Sequence, residues 1–198
     1  APPKTSSSRR SKKRAGRSPV IRLSWKVDNP DNDRLRYTLF FKGEGETDWR
    51  SILPSDSQLR STSYEWNTAA IPEGTYLVKV EASDESVNPT DRQRSSNKVS
   101  APVVIDNQPP RVVKLEARAR RLTGQAIDGY SPIARLEYSL DGRIWSPIFP
   151  DDSIFDQRRE SFGFELPSTL PDGAYTIVVR AWDRAQNSGT ARVLTEIR

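Results

Sequence analysis

Two stretches of the chain, IPEGTYLVKVEASD at residues 71–84 and LPDGAYTIVVRAWD at residues 170–183, are copies of one pattern. Each shared residue recurs 99 positions later. The identical pairs are Pro72/Pro171, Gly74/Gly173, Tyr76/Tyr175, Val80/Val179, Ala82/Ala181 and Asp84/Asp183. Upstream, LRYTL (35–39) matches LEYSL (136–140). The chain therefore reads as two units of about 100 residues, the size of a β-sandwich domain.

Both units read as strands. In VIRLSWKV (20–27) the apolar residues Ile21, Leu23, Trp25 and Val27 alternate with polar ones. This period of two predicts a strand with one buried face. Pro-x-Gly and Asp-Gly pairs separate the strands, and no amphipathic helix is evident. The sequence predicts an all-β chain.

Three motifs carry a resemblance to known families. Leu23-Ser24-Trp25 is similar to the strand-B signature of fibronectin type III domains, and the Ile71-to-Tyr76 and Leu170-to-Tyr175 motifs resemble the tyrosine corner of such sandwiches. VRAWDRAQN (179–187) resembles the closing strand and loop of bacterial Ig-like modules, with Gln186 where those have glycine. The resemblance implies two consecutive antiparallel β-sandwich domains, 1–107 and 108–198, as in large secreted bacterial proteins.

The second unit lacks the strand-B tryptophan. It has Gly124 and Ala126 in that strand, so its core must be filled differently. The aromatic residues expected to close this core are Trp145, Phe149, Phe155, Phe162 and Phe164.

Composition excludes most catalytic chemistry. The chain has no cysteine and no histidine, which removes disulfides, thiolate nucleophiles, the usual zinc sites and imidazole-based triads. A carboxylate pair such as Asp156 and Glu160 remains conceivable for a glycosidase, but a loop of a small sandwich offers no evident cleft. We expect a non-catalytic protein. No apolar run reaches the length of a membrane-spanning helix, so no membrane insertion is expected.

The stretch SSSRRSKKRAGRSP (6–19) supplies the positive net charge of the chain. Residues 1–19 hold seven of the 31 cations and no acid, which leaves 24 cations against 26 acids elsewhere. The segment is expected to be either strand A of the first domain, as a charged edge strand, or a flexible arm that binds an anionic polymer through residues 4–17. Its anion-binding candidates are Arg9, Arg10, Lys12, Lys13, Arg14 and Arg17. Because no aromatic residues interleave these cations, nucleic acid is disfavoured as a partner.

Acidic residues suggest where a cation could bind. The loop DNPDND places Asp28, Asp31 and Asp33 at the pole expected to hold Asp84, and clustered oxygens suit calcium. The alternative is a turn rich in Asp, Asn and Pro for conformational reasons. A weaker second group, Asp106, Asp128 and Asp183, is expected to meet where the linker enters the second domain. No other cofactor is expected.

Strand parity predicts outward-facing aromatic residues. Trp182 is expected to face outward beside Arg180, and Phe40 to do so in the first unit. Such side chains are candidate contacts for a protein partner or a sugar. The alternative is that Trp182 packs on the neighbouring domain.

These features favour a non-catalytic spacer and protein-interaction module of a secreted, periplasmic or cell-surface protein. The Pro109-Pro110 pair should restrict the angle between the units, because proline fixes its own φ and limits its neighbour. The expected partners are another protein or further domains of a longer parent chain. The alternatives are an accessory carbohydrate-binding module of a secreted hydrolase and an electrostatic binder of an anionic polymer.

Overall fold

The computed structural model describes residues 18–55, residue 57 and residues 59–198. All regular structure in these ranges is β-strand. Residues 1–17 lie outside the described residues, and with them lie the predicted strand A or arm and all six anion-binding candidates between Arg9 and Arg17. Those interpretations stay predictions.

Seven strands between residues 20 and 105 form the first sandwich. They are β1 (Val20–Ser24), β2 (Arg36–Gly43), β3 (Arg50–Ser51), β4 (Ser63–Asn67), β5 (Gly74–Ser83), β6 (Ser95–Val99) and β7 (Val103–Ile105). One sheet has the order β1-β4, and the other has the order β3-β2-β5-β6 with β7 also paired to β5. All these pairs are antiparallel.

Seven further strands form the second sandwich. They are β8 (Arg111–Arg118), β9 (Arg121–Ile127), β10 (Ile133–Ser139), β11 (Ser146–Ile148), β12 (Arg159–Glu165), β13 (Gly173–Asp183) and β14 (Ser188–Ile197). The two sheets have the orders β12-β9-β8 and β11-β10-β13-β14, again antiparallel throughout. The predicted all-β class, with two consecutive antiparallel β-sandwiches, is confirmed. The boundary between residues 107 and 108 stays a prediction.

The repeated motif is a tyrosine corner in both sandwiches. The Tyr76 hydroxyl donates to the Pro72 carbonyl at 2.7 Å, and the Tyr175 hydroxyl donates to the Pro171 carbonyl at 2.9 Å. The hydrogen bond joins the start of a central strand to the turn before it. The strand that follows then carries the core residues, Val78 in the first sandwich and Ile177 and Val179 in the second.

The second core replaces the missing tryptophan with a phenylalanine from the neighbouring strand. Phe162 of β12 is opposite Gly124 of β9, and a Cβ added at Gly124 would lie 2.6 Å from Phe162 Cζ. Phe162 is buried, and Phe155 and Phe164 pack against the same core. The prediction was wrong for Trp145, which is half-buried, and for Phe149, which is 62% exposed. Both flank the short edge strand β11, on the parity opposite to buried Ile148.

The two sandwiches align in a register that the sequence match missed. Ala82 of β5 pairs with Tyr37 of β2, and Ala181 of β13 pairs with Leu136 of β10. Strands β2 and β10 therefore also correspond at a spacing of 99 residues. The LRYTL and LEYSL match is shifted by two residues from this register. A shift of two keeps every side chain on its own face, which is why the alternation alone could not reveal it.

We expect Gly124→Ala to destabilise the second sandwich by about 1–3 kcal/mol, because the new methyl group overlaps the buried Phe162 ring. Urea unfolding measures the effect. Thr123→Ala, at an exposed position on the same strand, is the matched control. Equal unfolding midpoints for the two variants would contradict this account of the core.

Candidate functional site

The two sandwiches meet through a set of polar contacts that we call the junction, made by residues 73–75, 106–110, 128–131 and 183–187. Glu73 Oε1 accepts a hydrogen bond from the Gln108 N–H at 3.1 Å. The hydroxyls of Thr75 and Tyr130 are 2.8 Å apart, which joins a strand of the first sandwich to a loop of the second. Asn107 Nδ2 donates to the Thr68 carbonyl at 2.9 Å. The linker is therefore hydrogen-bonded to the first sandwich, and one direct hydrogen bond joins the two sandwiches.

Three carboxylates converge in the junction, as the sequence predicted for its second acidic group. Oxygens of Asp106, Asp128 and Asp183 lie within 4.8 Å of one another. Asp106 is 1% exposed and Asp183 is 2% exposed. In the described part of the chain, this is the one group of three or more such side chains close enough to share an ion.

Each of these carboxylates is oriented by local donors. Asn187 Nδ2 donates to Asp183 Oδ2 at 2.8 Å and to the Asp106 carbonyl at 3.1 Å. The N–H groups of Tyr130 and Ser131 donate to Asp128 Oδ1 at 2.8 and 2.7 Å. The Ser131 hydroxyl donates to Asp106. The arrangement is thus held by backbone N–H groups, the Asn187 amide and the Ser131 hydroxyl.

The electrostatics of the junction favour added positive charge. Among the ion pairs between described residues, none involves Glu73, Asp106, Asp128 or Asp183. Burial raises the pKa of Asp183, and the neighbouring Asp106 and Asp128 raise it further. Burial and the contact with Asp106 also raise the pKa of Glu73. Carboxylate and carbonyl oxygens are the ligands that calcium takes, so Asp106, Asp128 and Asp183 are the residues that could hold it.

The DNPDND loop does not form the predicted calcium set. No three of Asp28, Asp31, Asp33 and Asp84 bring oxygens close enough to share an ion. The structure does bring Asp33 and Asp84 together, because Asn88 Nδ2 donates to Asp33 Oδ2 at 3.1 Å and to Asp84 Oδ2 at 2.9 Å. The Arg94 N–H donates to Asp84 Oδ1 at 2.7 Å and lowers the pKa of that carboxyl. These oxygens brace two loops of the first sandwich.

Trp182 and Arg180 lie in a stack on the outer face of β10 and β13. The Arg180 guanidinium is 3.8 Å from the Trp145 ring centre and 5.3 Å from that of Trp182, and Arg135 is 4.8 Å from Trp182. Glu137 accepts hydrogen bonds from Arg180 at 2.7 Å and from Trp182 Nε1 at 3.4 Å. Trp182 thus packs on side chains of its own sheet, and packing on the neighbouring domain stays a prediction.

Phe40 is covered in a similar way. Lys79 Nζ lies 4.6 Å from the Phe40 ring centre and 5.0 Å from that of Trp49, and Lys42 lies 5.1 Å from Trp49. Lys79 also pairs with Glu81 at 2.6 Å. Such contacts stabilise by about 0.5–1 kcal/mol at exposed sites. Cations therefore occupy ring faces of both predicted contact residues, Phe40 and Trp182.

One of the two carboxylates considered for hydrolysis, that of Glu160, has a structural role. Glu160 is 2% exposed, and its Oε1 accepts the N–H groups of Asp156 at 3.1 Å and Gln157 at 2.9 Å. Glu160 therefore holds the loop that leads into β12.

Comparison with known proteins finds alignments with solved structures. No family model matches it, and no curated protein matches it. Solved structures that align with it include the chicken CNTN1 FN1-FN3 domains (14% identity, TM-score 0.39, 92% of this chain, 63% of that chain) and the Dscam1 isoform 4.44 N-terminal four Ig domains (15% identity, TM-score 0.32, 91% of this chain, 41% of that chain). The chain spans less than two thirds of either structure. Because both TM-scores are low, the fold assignment depends on the sheets and tyrosine corners described above. No described helix has the length and apolar character to cross a membrane.

Sequence reasoning missed several junction residues, notably Glu73, Tyr130 and Asn187. One signal was present, because Asp183-x-x-x-Asn187 repeats Asp84-x-x-x-Asn88 at the spacing of 99. In both copies the asparagine amide donates to the aspartate. Glu73 and Tyr130 gave no such signal, since their contact arises only when the two sandwiches meet.

We expect calcium to raise the thermal unfolding midpoint of the full chain and to have no effect on Asp128→Asn. Asparagine retains the Oδ1 acceptor for the N–H groups of Tyr130 and Ser131 but removes the charge. At a hundredfold excess over its Kd, a bound ion stabilises by about 2.7 kcal/mol. Asp31→Asn is the control for the DNPDND loop. A calcium effect that disappears in Asp31→Asn and persists in Asp128→Asn would contradict binding at the junction.

Proposed function

We propose that the chain is a non-catalytic spacer that holds two β-sandwiches at a fixed angle and presents them to a protein partner or to other domains of a longer parent chain. The observation that carries the proposal is the junction. Free tethering needs no buried polar contacts between domains, whereas here Asp106 and Asn187 are buried between them. We further propose that the parent protein is secreted, periplasmic or at the cell surface, which follows from the resemblance of VRAWDRAQN to bacterial Ig-like modules.

Three kinds of contact support a fixed angle. Glu73 bonds the linker backbone, Tyr130 bonds Thr75 across the two sandwiches, and Asn187 bonds the Asp106 carbonyl. Tight packing adds to them, because a Cβ added at Gly189 would lie 1.8 Å from the Pro110 carbonyl oxygen. Proline at 109 and 110 limits the backbone conformations of the same segment.

The accessory carbohydrate-binding module stays an alternative. The cation–π contacts of Phe40 and Trp182 weigh against it. Sugar recognition by Phe40 or Trp182 requires a free ring face, and cations already lie over both rings. Displacing Arg180 would also leave the half-buried Glu137 carboxylate without its closest partner.

We expect the distance between nitroxide labels on the two sandwiches to be narrowly distributed. Because the chain has no cysteine, Asp48→Cys and Arg143→Cys place the labels at two exposed positions without further changes. Tyr130→Phe with Glu73→Ala removes two junction contacts and should broaden the distribution measured by double electron–electron resonance.

Tyr64→Phe with Glu65→Ala, on β4 and outside the junction, is the matched control and should leave the distribution narrow. A distribution that is already broad in the unsubstituted protein would contradict a fixed angle.

A further inference from the structure

The outer face of the sheet β12-β9-β8 carries cations at both of its ends. The strand registers place Arg111, Ile127 and Arg159 in one row, and Arg118, Arg121 and Glu165 in another. The rows are six residues apart along β9, which is about 20 Å. We call this surface the basic face, defined by Arg111, Arg118, Arg121 and Arg159, all of which are exposed.

The middle of the basic face holds mainly small or polar side chains. Outward positions between the two rows hold Thr123 and Gln125 of β9, Ser161 and Gly163 of β12, and Val113 and Glu116 of β8. Alternate positions on β9 point into the core, where Leu122 and Ala126 are fully buried. Strands β9 and β12 pair without a register shift, whereas the pairing of β8 with β9 is irregular between Val113 and Glu116, so Val113 is the one apolar side chain between the rows.

The side chains of Arg159 and Arg121 extend from opposite ends of the basic face toward its middle. Arg159 donates to Gln125 Oε1 at 3.3 Å, and Gln125 Nε2 donates in turn to Ser161 Oγ at 3.1 Å. At the other end, a Cβ added at Gly163 would lie 3.0 Å from an Arg121 guanidinium nitrogen, so the glycine makes room for that side chain. Both guanidinium groups thus lie along the face.

The charge of the face is only partly compensated. Glu165 pairs with Arg121 at 3.4 Å and Glu116 pairs with Arg118 at 3.8 Å. Both pairs are exposed, so water screens them and they contribute little. No ion pair between described residues involves Arg111 or Arg159. Four arginines against two carboxylates leave a surplus of positive charge along an extended surface.

We propose that the basic face binds an anionic polysaccharide that runs along β9. Charge complementarity requires an anionic occupant, and the separation of the two basic rows fits an extended polymer better than a single small anion. Guanidinium groups pair well with carboxylate or sulfate oxygens, and the hydroxyl and amide groups of the middle suit sugar hydroxyls. The outward positions between the rows hold no aromatic residue on which a nucleobase could stack. This inference is independent of the proposed spacer function.

The test is titration of the full chain with dextran sulfate, with uncharged dextran as the polymer control. Arg121→Ser with Arg159→Ser removes two cations from the basic face. Arg143→Ser with Arg192→Ser removes two exposed cations elsewhere in the second sandwich, and both variants keep residues 4–17. We expect the first pair to weaken binding about tenfold at 0.1 M salt, and to reduce its salt dependence. The second pair should have little effect.

Equal loss in both variants, or none in either, would overturn the proposal, because binding would then follow net charge or the basic stretch. Single-stranded DNA bound as tightly as dextran sulfate, with the same dependence on Arg121 and Arg159, would also overturn the choice of polysaccharide. If Arg121→Ser with Arg159→Ser lowers the unfolding midpoint, Arg111→Ser with Arg118→Ser on the edge strand β8 replaces it. Loss of binding should leave the distance between the two sandwiches unchanged.

Discussion

The structure depends most on a single amide, that of Asn187, which holds the linker against the second sandwich. Its Nδ2 donates to Asp183 at the end of β13 and to the carbonyl of Asp106, where the chain leaves the first sandwich. Breaking one partner of a buried polar contact costs more than the contact contributes, since the other partner is left without its hydrogen bond. The junction should therefore resist bending, because any rotation opens several buried contacts together.

An equivalent Asp–Asn hydrogen bond occurs in the first sandwich, but there the asparagine has a different second acceptor. Asn88 bonds Asp84 as Asn187 bonds Asp183, but its amide also donates to Asp33 of the preceding loop. One copy thus ties two loops of its own domain together, while the other ties its domain to the linker. The pKa values of the two aspartates shift in opposite directions because their surroundings differ. Backbone hydrogen bonding lowers the pKa of Asp84, and burial beside two other carboxylates raises that of Asp183.

The sequence could predict the fold because the information is local and repeated. The alternation in VIRLSWKV and the two tyrosine-corner motifs required only strand parity and one hydrogen bond each. The candidate site was harder to predict from the sequence. The convergence of Asp106, Asp128 and Asp183 followed from topology, but Glu73 and Tyr130 became part of the junction only through the relative placement of two domains. Outward parity was right for Trp182, while its covering by Arg135 and Arg180 depends on cross-strand neighbours that no single strand reveals. The basic face was missed for the same reason, because Arg159 is far in sequence from Arg111 and Arg121 and joins them on one surface only through the strand registers.

The central claim is that the two sandwiches form one rigid pair, and residual dipolar couplings of the backbone amides test it most directly. Each sandwich reports its own alignment tensor in a weakly ordered medium. A single tensor that fits the couplings of residues 20–105 and 111–197 together is the result that we predict. Two tensors of clearly different magnitude would show that the sandwiches reorient independently, and would contradict a rigid junction.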